Sequence, residues 1–129
     1  HRVLNGKAPE LYDGGNQTRC FTYIDDVIDG IIRAATLKIA IGHVLNLGNT
    51  VENTMHEVVD KILEVSKSDL KINHIKTGER YGDVYEDIPR RVPEINKAYE
   101  LLNWRPVTTM QEGIEKTINW VKKNKWYLN

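Results

Sequence analysis

Several features are scarce or absent in this 129-residue sequence, and each absence excludes a class of protein. The single cysteine, Cys20, cannot form an internal disulfide, and with four histidines at no ligand spacing it excludes a structural zinc site. No apolar run approaches the ~20 residues that span a bilayer, and no secretory signal is visible. Eighteen basic residues balance eighteen acidic ones, so no overall charge draws the chain to nucleic acid or an anionic membrane.

Two common catalytic patterns are missing as well. The only serines, Ser66 and Ser68, lie in a polar stretch without the Gly-x-Ser-x-Gly turn of a serine hydrolase. His56 and Glu57 begin like the zinc-protease motif, but Asp60 occupies the place of its second histidine. These residues therefore predict no hydrolytic centre, and any bound anion must be held by a local arrangement of charge.

The composition is that of an ordinary globular protein, with 40% hydrophobic and 28% charged residues. A chain of this length buries roughly two-thirds of its unfolded surface, so we expect residues 1–129 to form a single domain. The lone thiol fits a reducing compartment, and we expect the protein in the cytoplasm. The sequence begins at His1 and not at Met, which indicates a cloning remnant or a piece of a longer chain.

Hydrophobic periodicity predicts an α/β fold with a small sheet of short strands and about four helices. Alternating patterns predict strands at residues 19–23 and 70–75, and residues 43–47, which Gly48 and Asn49 terminate, predict a third strand. Helical patterns begin near residues 25, 54, 93 and 109, and the second and fourth carry the Thr-x-x-Glu spacing of a capping box. Asp25 and Asp26 are interpreted as a pair that favours a helix start. Residues 76–92 lack periodicity, which predicts a binding loop or a mobile loop.

Four stretches, taken together and in order, resemble a single family. Residues 13–27 (DGGNQTRCFTYIDDV) resemble its Gly-x-x-Gln-x-Arg-x-Phe-x-Tyr-Val-x-Asp segment, and residues 43–49 (HVLNLGN) resemble its Val-Phe-Asn-Ile-Gly-Asn segment. Residues 86–95 (EDIPRRVPEI) resemble its Asp-x-x-x-Arg-Lys-Pro-Asp-Ile element, and residues 103–120 resemble its Gly-Trp-x-Pro ending and last helix. The family is the extended short-chain dehydrogenases/reductases that act on nucleotide sugars. The third element is typical of its UDP-glucuronate decarboxylase branch.

This resemblance implies the substrate-binding portion of an NAD-dependent nucleotide-sugar epimerase or decarboxylase. In that family the carboxy-terminal region binds the nucleoside diphosphate, while a Rossmann half binds NAD and carries a Tyr-x-x-x-Lys catalytic pair. By match, Arg19 and Arg91 would bind the diphosphate and the sugar acid, since a guanidinium grips such oxygens in bidentate fashion. Tyr12 would lie along the nucleobase and Tyr85 beside the sugar. The ordinary alternatives are surface salt bridges for the arginines and aromatic packing for the tyrosines.

Two parts of the family's machinery are absent from the sequence. No Gly-x-x-Gly-x-x-Gly fingerprint occurs, and none of the six tyrosines is followed four residues later by a lysine. We therefore expect the chain alone to bind no cofactor and to contain no catalytic residue. Val92 stands where the decarboxylase branch has a lysine. The alternative function is a free-standing, truncated nucleotide-binding or self-associating module without activity. The expected partners are a nucleotide-diphosphate sugar, most simply a UDP sugar, and further copies of the chain in a homo-oligomer.

Overall fold

The computed structural model describes residues 1–78 and 88–128 of the chain. Four α-helices lie wholly within these residues: α1 (Ile24–Thr36), α2 (Met55–Ser66), α3 (Asn96–Leu102) and α4 (Met110–Lys123). They are joined by four short strands: β1 (Glu10–Tyr12), β2 (Thr18–Arg19), β3 (Asn53–Thr54) and β4 (Asn73–Ile75). Single turns of 3-10 helix occupy Val3–Asn5, Asp13–Gly15, Lys38–Ala40 and Lys125–Leu128. The predicted α/β class is confirmed, and none of the described helices combines the length and apolarity needed to cross a membrane.

The short strands pair two by two, as β1 with β4 and β2 with β3, in the described part of the chain. β1 and β4 are parallel, with Leu11 opposite His74, so the chain between them acts as a long crossover. β2 and β3 are antiparallel, with Thr18 opposite Thr54. Leu11 is fully buried, because β1 packs against both β4 and α2.

Two helices begin with the capping boxes that the sequence predicts. The Thr54 side chain accepts the Glu57 backbone N–H at the start of α2, and the Glu57 carboxylate accepts the Thr54 N–H. Thr109 and Glu112 make the same reciprocal pair at the start of α4. These hydrogen bonds satisfy backbone donors that a helix end leaves unpaired, so the sequence itself sets where both helices begin.

The best-buried apolar side chains lie where α1, α3 and residues 37–47 meet. Ala98, Leu102 and Trp104 are each no more than 2% exposed, and Ala40 packs with them. Gly30 of α1 permits this close packing, since a Cβ there would come within 3.0 Å of the Trp104 ring. The tryptophan in the family-like Trp-x-Pro segment is therefore a core residue.

The two carboxylates at the start of α1 have different roles. Both lie in its first turn, which confirms the predicted helix start, and Asp25 is exposed. Asp26 is buried and accepts three hydrogen bonds, from the Val107 N–H at 3.2 Å, the Thr108 N–H at 2.9 Å and the Thr108 hydroxyl at 3.1 Å. The Trp104 Nε1–H also donates to the Asp26 carbonyl at 2.8 Å. Asp26 therefore joins α1 to the segment that leads into α4.

Several predicted boundaries were wrong. Residues 43–47 form no strand, because no described segment pairs with them and a strand needs a ladder of hydrogen bonds. The helix expected from Pro93 begins at Asn96, because Ile95 has φ −119° and ψ 5°, outside the helical region. The strand expected at 19–23 is found as β2, which overlaps that range only at Arg19, and the strand expected at 70–75 is shortened to β4. Of the predicted loop 76–92, residues 79–87 lie outside the described residues.

Several apolar side chains of α1 and of the segment after it are not covered by other described residues. Four isoleucines of α1 are 45% to 58% exposed, and two residues beyond the helix are 78% and 85% exposed. We name this surface the α1 face; its members are Ile24, Ile28, Ile31, Ile32, Ile41 and Val44. Several large apolar side chains exposed on and after one helix are typical of a surface that packs against something else.

Candidate functional site

Three segments that are distant in sequence surround a cavity of about 620 Å³. They are residues 19–22, which follow β2, residues 46–48, and residues 91–94, which lead into α3. Arg19 and Arg91 both line this cavity. The fold thus brings together the two arginines that the resemblance singles out, although no spacing in the sequence relates them.

The 91–94 segment is held against the 46–48 segment at two points. The Asn46 Nδ2–H donates to the Glu94 carbonyl at 3.0 Å, so the Asn46 side chain anchors the backbone at Glu94. Gly48 allows these two segments to approach closely, since a Cβ at this position would lie 3.0 Å from the Pro93 ring. The Thr22 hydroxyl accepts the Asn49 N–H at 2.8 Å, which joins the 19–22 segment to the chain just after residues 46–48. The cavity wall is therefore built from backbone that is fixed on all three sides.

Arg19 extends from β2, whose pairing with β3 sets its position opposite Asn53. It is half-buried, and its Nη1 donates to the Thr18 carbonyl at 2.7 Å. Arg91 is exposed, and the described residues provide it with no hydrogen bond or ion pair. Its guanidinium is thus available to a ligand that enters the cavity.

A neighbouring ion pair, which sequence reasoning missed, fixes the chain just before Arg91. Arg90 grips the Glu52 carboxylate with two hydrogen bonds, Nε to Oε2 at 3.0 Å and Nη2 to Oε1 at 2.6 Å. The Thr18 hydroxyl donates to the same carboxylate at 2.9 Å. These donors hold the pKa of Glu52 below its usual range, with Arg90 making the largest contribution. The pair joins two coil segments, so no periodic pattern in the sequence reveals it.

The charges that line the cavity favour an anion. Arg19 and Arg91 line it, and among the described lining residues the only carboxylate is that of Glu94, which accepts the Asn96 N–H at 2.6 Å. Cys20 also lines the cavity; burial raises the pKa of its thiol, and the Glu52 carboxylate raises it further. A raised thiol pKa disfavours the nucleophilic thiolate. The arrangement is therefore suited to binding phosphate or carboxylate oxygens and not to covalent chemistry.

The two predicted tyrosines are not brought to this cavity by the described structure. Tyr12 lies in β1, where its hydroxyl donates to Glu10 at 3.2 Å, and it is not among the residues that line the cavity. Tyr85 lies outside the described residues. Their assignment to the nucleobase and the sugar remains a prediction from the resemblance.

The described residues do not fit a dinucleotide. A dinucleotide pyrophosphate requires a glycine-rich turn that leads into a helix, whereas α2 and α4 begin at threonine caps and α1 follows Tyr23. A second cavity of about 680 Å³ lies between α2, α4 and the first ten residues, and its lining is mostly apolar. No group of three or more metal-ligating side chains occurs among residues 1–78 and 88–128. The arginine-lined cavity is thus the best candidate site.

Comparison with known proteins identifies relatives over nearly the whole chain. A UDP-N-acetyl-alpha-D-glucosaminuronate decarboxylase of Bacillus cytotoxicus is 32% identical over 94% of this chain. A UDP-glucuronic acid decarboxylase 1 of Danio rerio is 33% identical over 95% of it. The chain spans only 37% and 27% of the lengths of these two relatives.

A solved structure shares the fold as well. The UDP-glucuronic acid 4-epimerase of Bacillus cereus, in complex with UDP-glucuronic acid and NAD, matches with a TM-score of 0.82 and 27% identity. The match covers 95% of this chain and 38% of the epimerase. The family model described as GDP-mannose 4,6 dehydratase matches residues 1–117. The chain therefore belongs to this family, within the extended short-chain dehydrogenases/reductases.

Proposed function

We propose that this chain supplies the substrate-binding surface of an NAD-dependent enzyme that epimerises or decarboxylates a nucleotide-diphosphate sugar. In this proposal Arg19 and Arg91 bind the diphosphate and the sugar acid, with Tyr12 and Tyr85 beside the base and the sugar. The substrate is a UDP sugar, as the names of the decarboxylase relatives and the ligand of the epimerase suggest.

The observation that carries the proposal is the meeting of Arg19 and Arg91 at one cavity. A chain with no net charge has no general attraction for anions, so binding must come from a local pair of cations. Two guanidiniums on separately anchored segments can each form a bidentate pair with a phosphate or a carboxylate. A nucleoside diphosphate linked to a sugar acid offers both groups in one molecule.

The proposal assigns NAD binding and proton transfer to a part of the enzyme that this chain does not contain. The sequence lacks the glycine fingerprint and the Tyr-x-x-x-Lys pair, so the chain alone is catalytically incomplete. Residues 1–129 would form one substrate-binding domain, in which the segment around Arg91 belongs to a binding loop. The single thiol supports a cytoplasmic location.

A second candidate function, a self-associating module without activity, is supported by the α1 face. An apolar patch of this kind suits a homo-oligomer whose copies cover one another. Loss of UDP binding distinguishes the two functions, since the module requires no ligand at the arginines.

The proposed function is tested by titrating the chain with UDP and following NMR chemical shifts. We expect weak binding, of the order of 1 mM, because the freedom that the ligand and its contacting side chains lose on association offsets part of the contact energy. Arg91→Ala should weaken binding by roughly tenfold to a hundredfold through the loss of charge-assisted hydrogen bonds. Arg91→Lys should recover only part of it, because an ammonium cannot form the bidentate fork.

Matched controls separate this site from general charge effects. Arg105→Ala removes a guanidinium that lies over the Tyr99 ring, away from the cavity, and should bind UDP as the unaltered chain does. Uridine, which lacks the diphosphate, should bind far more weakly than UDP. The proposal is wrong if Arg91→Ala binds UDP normally, or if UDP moves no resonance near Arg19 and Arg91.

A further inference from the structure

The Glu52 carboxylate lies at the centre of a set of contacts that ends beside the candidate site. Both of its oxygens accept from the Arg90 guanidinium, and Oε2 also accepts from the Thr18 hydroxyl. The backbone of the same region is joined directly, because the Thr18 N–H donates to the Pro89 carbonyl at 2.9 Å and Thr18 and Arg90 form a parallel bridge. We name Glu52, Arg90 and Thr18 the Glu52 clamp.

We propose that Glu52 is a positioning residue that holds the Arg90–Arg91 segment so that Arg91 faces the anion-binding cavity. This inference rests on the proposed function and adds to it a residue that does not itself touch the ligand. Arg90 and Arg91 are adjacent in sequence but make different contacts. The Arg90 guanidinium is bound to the Glu52 carboxylate, whereas Arg91 lines the cavity. Neighbouring side chains of an extended chain point to opposite sides, so holding Arg90 on Glu52 directs Arg91 to the side of the cavity.

The clamp also connects the two arginines of the site. Thr18 precedes Arg19 in β2, and Glu52 precedes the Asn53 that pairs with Arg19. One carboxylate therefore sets the separation between the β2 segment and the segment that carries Arg91. The two parallel hydrogen bonds between Arg90 and Glu52 fix the orientation of the guanidinium, which a single hydrogen bond would not do. The Arg90 side chain is 68% exposed, so the pair is better suited to orienting a segment than to stabilising the whole fold.

The test compares UDP affinity and unfolding free energy in four variants of the chain. Glu52→Gln keeps the size of the side chain but removes the fork with Arg90. If Arg91 is then correctly placed only a tenth to a third of the time, UDP binding weakens by about threefold to tenfold. Glu100→Gln, which neutralises an exposed carboxylate of α3, is the matched control and should change nothing.

Rescue distinguishes positioning from a general structural effect. Arg90→Glu should weaken UDP binding, whereas the charge-exchanged double variant Glu52→Arg with Arg90→Glu should restore most of the affinity by re-forming the pair in reverse. The Thr18 hydroxyl can accept from the new guanidinium, so the exchange leaves it satisfied. All variants should unfold at similar denaturant concentrations, which shows that the effect is on the site.

The outcomes separate this inference from the proposed function. If the unaltered chain binds no UDP, the proposed function fails and the positioning role fails with it. If the unaltered chain binds UDP and Glu52→Gln binds it equally well, only the positioning role is overturned. Failure of the double variant to bind better than Arg90→Glu would also overturn it.

Discussion

Asp26 offers a sharp test of how this fold is held together, because its neighbour Asp25 is a matched control. Both carboxylates lie in the first turn of α1, but only Asp26 is buried and accepts hydrogen bonds from Val107 and Thr108. Asp26→Ala removes the acceptor of two backbone donors and one hydroxyl. Asp25→Ala removes only a favourable charge at a helix end.

The expected magnitudes follow from which donors lose a partner. Val107 is 79% exposed, so its N–H can turn to water, whereas the Thr108 donors are half-buried. Asp26→Ala should therefore lower the free energy of unfolding by about 2–3 kcal/mol, the cost of one charge-assisted bond and one poorly solvated donor. Asp26→Asn keeps an acceptor oxygen and should lose about 1 kcal/mol. Asp25→Ala should lose about 0.3–1 kcal/mol.

Urea unfolding followed by tryptophan fluorescence measures these differences, since Trp104 is packed directly against α1. The expected order of stability is the unaltered chain, Asp25→Ala, Asp26→Asn and then Asp26→Ala. Equal losses for Asp25→Ala and Asp26→Ala would refute the reasoning, because helix-end charge alone would then account for both residues.

Three further predictions concern chemistry, association and pH. The purified chain should neither bind NAD measurably nor convert a UDP sugar; turnover above a protein-free blank, with host epimerase excluded, would contradict this. The chain should self-associate through the α1 face, and Ile28→Glu with Ile31→Glu should lower the mass measured by light scattering; an unaltered chain that is monomeric at high concentration would count against it. Hydrogen bonds from the threonine caps hold the pKa of Glu57 and Glu112 below the usual 4.5, so their stabilisation is present above that pH and is lost as the pH falls through the depressed values. Thermal midpoints should drop on acidification below pH 4.5, and the double variant Glu57→Gln with Glu112→Gln should drop less over the same range.

The helices were predictable wherever a local signal specifies them. The capping boxes at Thr54 and Thr109 are complete within four residues of sequence, and both appear as expected. The strands were not, because pairing depends on a distant partner. Residues 43–47 were expected to form a strand that ends at Gly48, yet no described segment pairs with them. The family resemblance rested on motifs spread over nearly the whole chain, and the family match over residues 1–117 confirms it. Local hydrophobic patterns alone could not have identified the family.

The residues of the candidate site were likewise predictable only in part. Arg19 and Arg91 were selected by matching motifs, and their place at one cavity could not be derived from spacing. Glu52 and Arg90 gave no signal, since an ion pair between two coil segments has no periodicity. Only one of the two roles of Asp26 could be predicted from the sequence. Its charge indicated a helix start, but its hydrogen bonds with Val107 and Thr108 depend on a tertiary contact.

The parallel pairing of β1 with β4 has a consequence for the order in which the chain assembles during synthesis. Strand β1 is synthesised before β4, and the edge of β1 that pairs with β4 stays unpaired until residues 73–75 have been made. Contacts between such distant residues form late, because a long loop must close first. The capped helix α2 needs only its own residues to begin, and it lies in the interval between the two strands. Translation therefore delivers the crossover helix before the strand that completes the sheet, and β1 stays an open edge until then.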